Sequence, residues 1–136
     1  MIEFIDELKT GVDAFDEHHK KLVELLNQVY NLLKEDKKQE AMRVFTDELV
    51  AYMEYHLTKE EEFMRGIGYP EYEQHKKAHE IFRKEILRLK PAIESGDVEA
   101  FRQELAFAWG WLYTHIAKTD KKYGKYYEQL LKRQMS

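Results

Sequence analysis

Apolar residues recur at steps of three and four along four long stretches of this chain, which is the period of an amphipathic α-helix. No stretch alternates apolar and polar residues over a strand's length. Polar or glycine-containing turns separate the stretches at 36–38, 66–68 and 95–97. The pattern therefore predicts an all-α protein, folded as an antiparallel up-down-up-down four-helix bundle.

The turns set the predicted boundaries of the helices. We predict a short N-terminal arm and four helices, at 1–11, 13–35, 38–65, 70–90 and 97–118. Pro70 suits the first position of the third helix, and Pro91 follows that helix's end. A C-terminal helical extension continues to Arg133 after a break near Asp120. The whole chain, 1–136, is expected to form one domain.

Composition excludes several classes of function. The 136 residues include no cysteine, which excludes disulfides, thiolate metal sites and iron–sulfur clusters. A net charge of -4 argues against nucleic acid as a partner. No run approaches the ~20 apolar residues of a membrane span, and the first residues lack the pattern of a signal peptide. We therefore expect a cytoplasmic protein. A monomer is favoured, but the sequence leaves the oligomeric state open.

Polar residues occupy core positions on every predicted helix. These residues are His19, His56, Glu60, His75, His79 and His115. A single histidine with a hydrogen-bond partner is an ordinary core feature. A carboxylate in an apolar stripe is different, because burying it unpaired costs several kcal/mol. Glu60 therefore predicts a cation or a cluster of hydrogen-bond donors beside it, or a raised pKa of its own carboxyl group.

The spacing of these residues predicts a metal site. His56 and Glu60 are four residues apart, as are His75 and His79, so each pair lies on one helix face. The other two core histidines face the same interior. Neutral imidazoles are good ligands for iron, zinc or copper. Five imidazoles with a bridging carboxylate suit two metal ions.

Helical periodicity leaves two positions open. Asp120 lies five residues after His115, and an ideal helix would turn it about 140° off that face. It joins the site only if the helix ends or distorts there, and Thr119 has the better claim to that face. His18 and His19 are barely separated by helical angle alone.

The chain resembles the hemerythrin family, in particular its stand-alone bacterial members, the bacteriohemerythrins, over essentially its whole length. The resemblance rests on four motifs: Gly11-Val12-x-x-Phe15-Asp16-x-x-His19, His56-x-x-x-Glu60-Glu61-x-x-Met64, Tyr69-Pro70-x-x-x-x-His75-x-x-x-His79 and Trp111-Leu112-x-x-His115-Ile116-x-x-x-Asp120-Lys121. It implies reversible binding of dioxygen at a non-haem di-iron centre, for storage, delivery or scavenging and without catalysis.

The resemblance also implies a ligand set and a pocket. One iron would be held by His75, His79 and His115, and the other, with an open position for dioxygen, by His19 and His56. Glu60 and Asp120 would bridge the two ions together with an oxo or hydroxo group. The oxygen pocket would be lined by Leu57, Trp111, Leu112 and Ile116.

Three residues depart from the family pattern. His18 stands where glutamine or glutamate is usual, so we expect it to be exposed or to support a ligand. Leu57 replaces a common phenylalanine, which should reshape the pocket. Phe4 replaces a tryptophan that is common in the arm of bacterial members.

Other interpretations remain at this stage. The same centre would serve an oxygen or redox sensor, a di-iron peroxidase or a protein that handles nitric oxide. The segment after His115 is basic, through Lys118, Lys121, Lys122, Lys125, Lys132 and Arg133. It suits an acidic protein partner or, more simply, a solvated helix face. Three tyrosines, Tyr123, Tyr126 and Tyr127, are expected to pack this segment onto the bundle.

Overall fold

A computed structural model describes residues 8–135, which form four long helices packed as an antiparallel bundle. The helices are α1 at Asp13–Lys34, α2 at 38–66, α3 at Tyr72–Glu94 and α4 at 98–135. The predicted fold class is therefore confirmed. The expectation for Phe4 lies outside the described residues.

Two of the helices contain a π-helical turn. In α2 this turn is Phe45–Leu49, between α-helical segments Lys38–Val44 and Val50–Gly66. In α4 it is His115–Asp120, between Val98–Thr114 and Lys121–Met135. The predicted break near Asp120 is wrong, because the wider turn lets the helix run on without interruption. Such turns concentrate at functional sites.

The two prolines occupy other positions relative to α3 than the sequence predicted. Pro70 lies in the turn before α3, which begins at Tyr72. Pro91 does not end α3, because the helix continues to Glu94. Because Pro91 has no N–H, the helix lacks the hydrogen bond that residue 91 would otherwise donate to the carbonyl of Leu87. The Leu87 side chain is 68% exposed, so this part of the helix faces water.

The link from α3 to α4 is a defined turn. Gly96 has a φ of 96°, a conformation in which an L side chain is strained. The carboxylate of Asp97 then accepts a hydrogen bond from the backbone N–H of Ala100 at 3.1 Å. It thereby caps α4 at its first turn.

Apolar side chains form two clusters inside the bundle. The larger cluster includes Leu22, Leu57 and Leu112, and the smaller includes Phe15 and Tyr123. Along the chain, the polar core positions fall between members of the two clusters. The structure therefore buries a polar layer between two apolar ones.

The segment before α1 is anchored on the bundle. Leu8 is buried, and Asp16 accepts hydrogen bonds from the backbone N–H and hydroxyl of Thr10 at 2.6 and 2.8 Å. The same segment crosses α4 at Gly124. A Cβ atom at Gly124 would lie 2.0 Å from the carbonyl oxygen of Thr10. The crossing therefore requires glycine.

Replacing Gly124 by alanine should lower the free energy of unfolding by about 1–3 kcal/mol, because the added methyl forces the backbone segments apart. Urea unfolding measures this change. Gly110→Ala is the control, since a Cβ there meets no atom within 4 Å and alanine favours the helix. Equal effects of the two substitutions would contradict the close crossing.

A buried carboxyl lies where α4 packs on α3. Glu104 is 1% exposed, and neither of its oxygens has a hydrogen-bond donor. Burial and the facing carboxylate of Glu85 raise the pKa of Glu104 to about 7. Arg88 pairs with Glu85 at 2.7 Å and only partly offsets the rise. Glu104 therefore holds its proton more tightly in the folded chain than a free glutamate does.

This carboxyl predicts a loss of stability as the pH rises. The folded-state pKa of Glu104 exceeds the ordinary value of 4.5, so its penalty is absent below about pH 4.5 and grows up to about pH 7. Glu104→Gln should flatten the fall in unfolding free energy between about pH 4.5 and about pH 7. The control is Glu99→Gln, exposed on the same helix. Parallel curves for wild type and Glu104→Gln would refute this role.

The basic C-terminal segment lies along α4. Lys118, Lys122 and Lys125 are exposed, and Lys132 pairs with Glu128 at 3.0 Å. Tyr123 is fully buried in the smaller apolar cluster, with Tyr126 and Tyr127 packed against it. An acidic partner for this segment stays a prediction. Among the described residues, no helix has both the length and the apolar character needed to cross a membrane.

Candidate metal centre

Seven buried side chains from all four helices meet in the polar layer. They are His19 from α1, His56 and Glu60 from α2, His75 and His79 from α3, and His115 and Asp120 from α4. Each is at most 5% exposed. Their donor atoms form two groups, each within 4.8 Å, and both groups contain Glu60 and Asp120. The shared carboxylates join two adjacent sites.

The first group holds three imidazoles. The Nε2 atom of His115 lies 3.0 Å from Nε2 of His75 and 3.1 Å from Nε2 of His79. Oδ1 of Asp120 lies 2.9 Å from Nε2 of His115 and 3.0 Å from Nε2 of His75. Bonds of about 2.0–2.2 Å to one metal, at right angles, place ligand atoms about 2.8–3.1 Å apart. The spacing fits ligands of a common ion.

The second group holds two imidazoles. Nε2 of His19 lies 3.0 Å from Oδ2 of Asp120 and 3.6 Å from Oε2 of Glu60. Nε2 of His56 lies 3.3 Å from Oε1 of Glu60. Asp120 thus turns one oxygen toward each group, which is the arrangement of a bridging carboxylate.

The hydrogen bonding of the layer is incomplete without a cation. Several of these buried atoms have no neighbour in the geometry of a hydrogen bond, even where one lies close, including both ring nitrogens of His19, Oε1 of Glu60 and both oxygens of Asp120. A satisfied polar core rarely leaves so many groups unpaired in one place. A metal ion accepts electron pairs from nitrogen and oxygen alike, so these residues fit a metal.

Electrostatics in the layer point the same way. Burial lowers the pKa of His19, but Asp120 and Glu60 outweigh it and raise the pKa to about 10. Burial likewise opposes the charge of His79, yet Glu60 and Glu61 raise its pKa to about 9. The carboxylates of Glu60, Asp120 and Glu61 therefore favour positive charge in and beside the layer. A metal cation would take the place of these protons.

The π-helical turn explains how Asp120 reaches the site. In an ideal α-helix, a residue five positions after His115 points about 140° away. The turn His115–Asp120 carries i to i+5 hydrogen bonding, which brings the two residues onto one face. Thr119, which regular periodicity favours, is only half-buried. The resemblance, and not the periodicity, identified the residue that enters the layer.

His79 is held from outside the layer by a hydrogen-bonded pair, Glu61 and Arg83. The Nδ1–H of His79 donates to Oε2 of Glu61 at 2.8 Å, and Nη1 of Arg83 donates to the same oxygen at 2.8 Å. Burial raises the pKa of Glu61, but these two partners outweigh it and lower the pKa. The charged acceptor fixes the proton of His79 on Nδ1, so Nε2 keeps its lone pair for a ligand bond.

Sequence reasoning missed a contact of Tyr123. Its hydroxyl donates to Oε2 of Glu60 at 2.5 Å, in addition to packing against Phe15 and Phe63. The signal was available, because Tyr123 lies three residues after Asp120 on the same helix face. Periodicity indicated only that it was buried.

His18 lies beside the layer and outside both donor groups. It is half-buried, and its Nδ1 lies 2.9 Å from Nδ1 of His56. The structure therefore places His19 in the layer and His18 next to a residue of the layer.

The four residues predicted for the oxygen pocket differ in burial and in their contacts with the polar layer. Leu57, Leu112 and Ile116 are buried in the larger apolar cluster. Trp111 is half-buried and stacks on His115, with ring centroids 4.3 Å apart. Its observed ring contacts place it beside the group of three imidazoles. The pocket itself stays a prediction.

Comparison with known proteins agrees with this geometry. The family model described as the hemerythrin HHE cation-binding domain matches residues 10–127. A bacteriohemerythrin of Clostridium acetobutylicum is 34% identical over 128 residues, covering 90% of this chain and 98% of that relative. One of Stenotrophomonas maltophilia is 32% identical over 119 residues, covering 87% and 76%.

The match spans the residues of the polar layer, from His19 to Asp120, together with the helices that carry them. The sequence comparison indicates a cation-binding domain, and the structure independently shows a buried set of nitrogen and oxygen donors. The two findings agree. The chain belongs to the hemerythrin family of HHE cation-binding domains.

Proposed function

We propose that this protein binds dioxygen reversibly at a non-haem di-iron centre. One observation carries the proposal: two groups of buried donor atoms share the carboxylates of Glu60 and Asp120. This arrangement suits two ions held side by side. Membership of the hemerythrin family supports both iron as the metal and dioxygen as the ligand.

The donor count supports different roles for the two ions. His75, His79 and His115 with both carboxylates supply five donors, whereas His19 and His56 with the same carboxylates supply four. An ion in the second group would therefore have one protein ligand fewer, which would leave it a position for dioxygen. Bound iron would supply that position and the electrons for reversible binding of dioxygen.

The protein's own residues favour binding over catalysis. Burial and the carboxylates of Glu60 and Asp120 raise the pKa of Tyr123 well above its ordinary value. Tyr123 therefore keeps its proton at neutral pH and holds Glu60 in place, and it does not act as a base. The buried leucines Leu57 and Leu112 would keep water from the centre.

The role of the open position is tested by replacing His19 with alanine, which removes one of only two imidazoles in that group. We expect no reversible oxygenation in this variant. The visible absorption band, monitored during cycles of oxygen and purging, measures it. Lys20→Ala is the control, since Lys20 is exposed on the same helix. Normal oxygenation by His19→Ala would contradict the proposed role of this group.

A further inference from the structure

We propose that His18 is a positioning residue that orients His56 and sets the proton position on its ring. The inference rests on the proposed di-iron function. His18 is distinctive because it stands just before the proposed ligand His19, yet its contact is with the ligand of another helix.

The geometry of the pair is that of a hydrogen bond between rings. The two Nδ1 atoms lie 2.9 Å apart, and the ring planes meet at 76° with centroids 5.1 Å apart. Phe15 and Tyr52 contact the His18 ring edge-on, at centroid distances of 5.4 and 5.8 Å. These aromatic neighbours hold His18 in the orientation that meets His56.

The chemistry of a metal ligand decides the direction of this hydrogen bond. Nε2 of His56 faces Glu60, inside the layer. A neutral imidazole that binds a cation through Nε2 carries its proton on Nδ1. That proton is donated to Nδ1 of His18, so His18 carries its own proton on Nε2, the other ring nitrogen.

The two proposed iron sites then differ in their outer acceptors. His79 donates to the carboxylate of Glu61, whereas His56 donates to a neutral imidazole. A charged acceptor makes the ligand more basic than a neutral one does. His18 therefore leaves His56 the weaker electron donor, which favours the ferrous state of the ion with the open position.

Three substitutions separate positioning from packing. His18→Gln keeps an acceptor oxygen, His18→Leu keeps an apolar volume without an acceptor, and His18→Glu supplies a charged acceptor. Tyr55→Leu is the control, because it removes a ring that contacts His18 and leaves the nitrogen pair intact. Circular dichroism and urea unfolding establish that each variant folds.

The first readout is loss of iron from the reduced protein to a ferrous chelator, without oxygen. Loss of an outer partner typically lowers metal affinity about 10–100-fold, so His18→Leu should release one of two ions faster than wild type by up to about that factor. His18→Gln and Tyr55→Leu should stay close to wild type. Equal release by His18→Leu and His18→Gln would overturn the proposal.

The second readout is the reduction potential of the iron pair, which does not depend on how tightly His18→Leu holds its metal. His18→Glu should shift the potential to lower values than His18→Gln, because the charged acceptor stabilises ferric iron. Equal potentials would also overturn the proposal. If wild type itself holds fewer than two ions, the di-iron function fails, which is a result distinct from either of these.

Discussion

Replacing Glu60 by glutamine is expected to abolish stable binding of both iron ions. Glu60 belongs to both donor groups, and an amide oxygen is a neutral and weaker ligand than a carboxylate. Because loss of an outer partner already costs about 10–100-fold in affinity, loss of a shared ligand should cost more than about 100-fold. Iron per chain after gel filtration measures the effect.

The matched control is Glu62→Gln, because Glu62 lies two residues away on the exposed side of α2. This control should keep two ions per chain. The thermal midpoint of iron-loaded wild type should also exceed that of the Glu60 variant, since metal binding is linked to folding. Two tightly held ions in Glu60→Gln would remove Glu60 from the ligand set.

Truncating Leu57 or Leu112 to alanine is expected to shorten the life of the oxygenated protein. Leu57 follows His56 and is fully buried, and Leu112 lies one turn before His115 and is 4% exposed. A smaller side chain admits water to the centre, and water promotes irreversible oxidation. Each variant should also lose about 2–5 kcal/mol of unfolding free energy. The decay rate of the oxygenated absorption band is the measurement.

Leu105→Ala separates a pocket effect from a general loss of stability. Leu105 is as buried as Leu112, on the same helix, but lies ten residues from His115. It should lose similar stability without faster decay of the oxygenated band. If all three variants decay at the wild-type rate with their iron retained, the leucines are ordinary core residues.

Most of the fold could be predicted from the sequence because apolar periodicity and turns are local signals. The stripes that contain Phe82 and Leu105 identify helix faces without knowledge of the partner helices. The same periodicity showed that Glu60 and His79 occupy core positions. Their polarity in those positions predicted the kind of site that the bundle contains.

The remaining features depend on contacts that local patterns do not encode. Regular periodicity cannot place Asp120, because the π-helical turn changes the helical angle between it and His115. The contact of Tyr123 with Glu60 and the approach of Gly124 to Thr10 depend on how elements distant in sequence pack. By local rules Pro91 predicts a helix end, but α3 continues past it to Glu94, where the turn that contains Leu87 faces water.

The central claim is that this chain holds two iron ions that bind dioxygen reversibly. The most direct test loads the apoprotein with ferrous iron without air, counts the bound ions, admits oxygen and then purges it. We predict two ions per chain and a visible absorption band that appears with oxygen, disappears on purging and returns over repeated cycles. Fewer than two ions, or a band that never reverses, would contradict the claim.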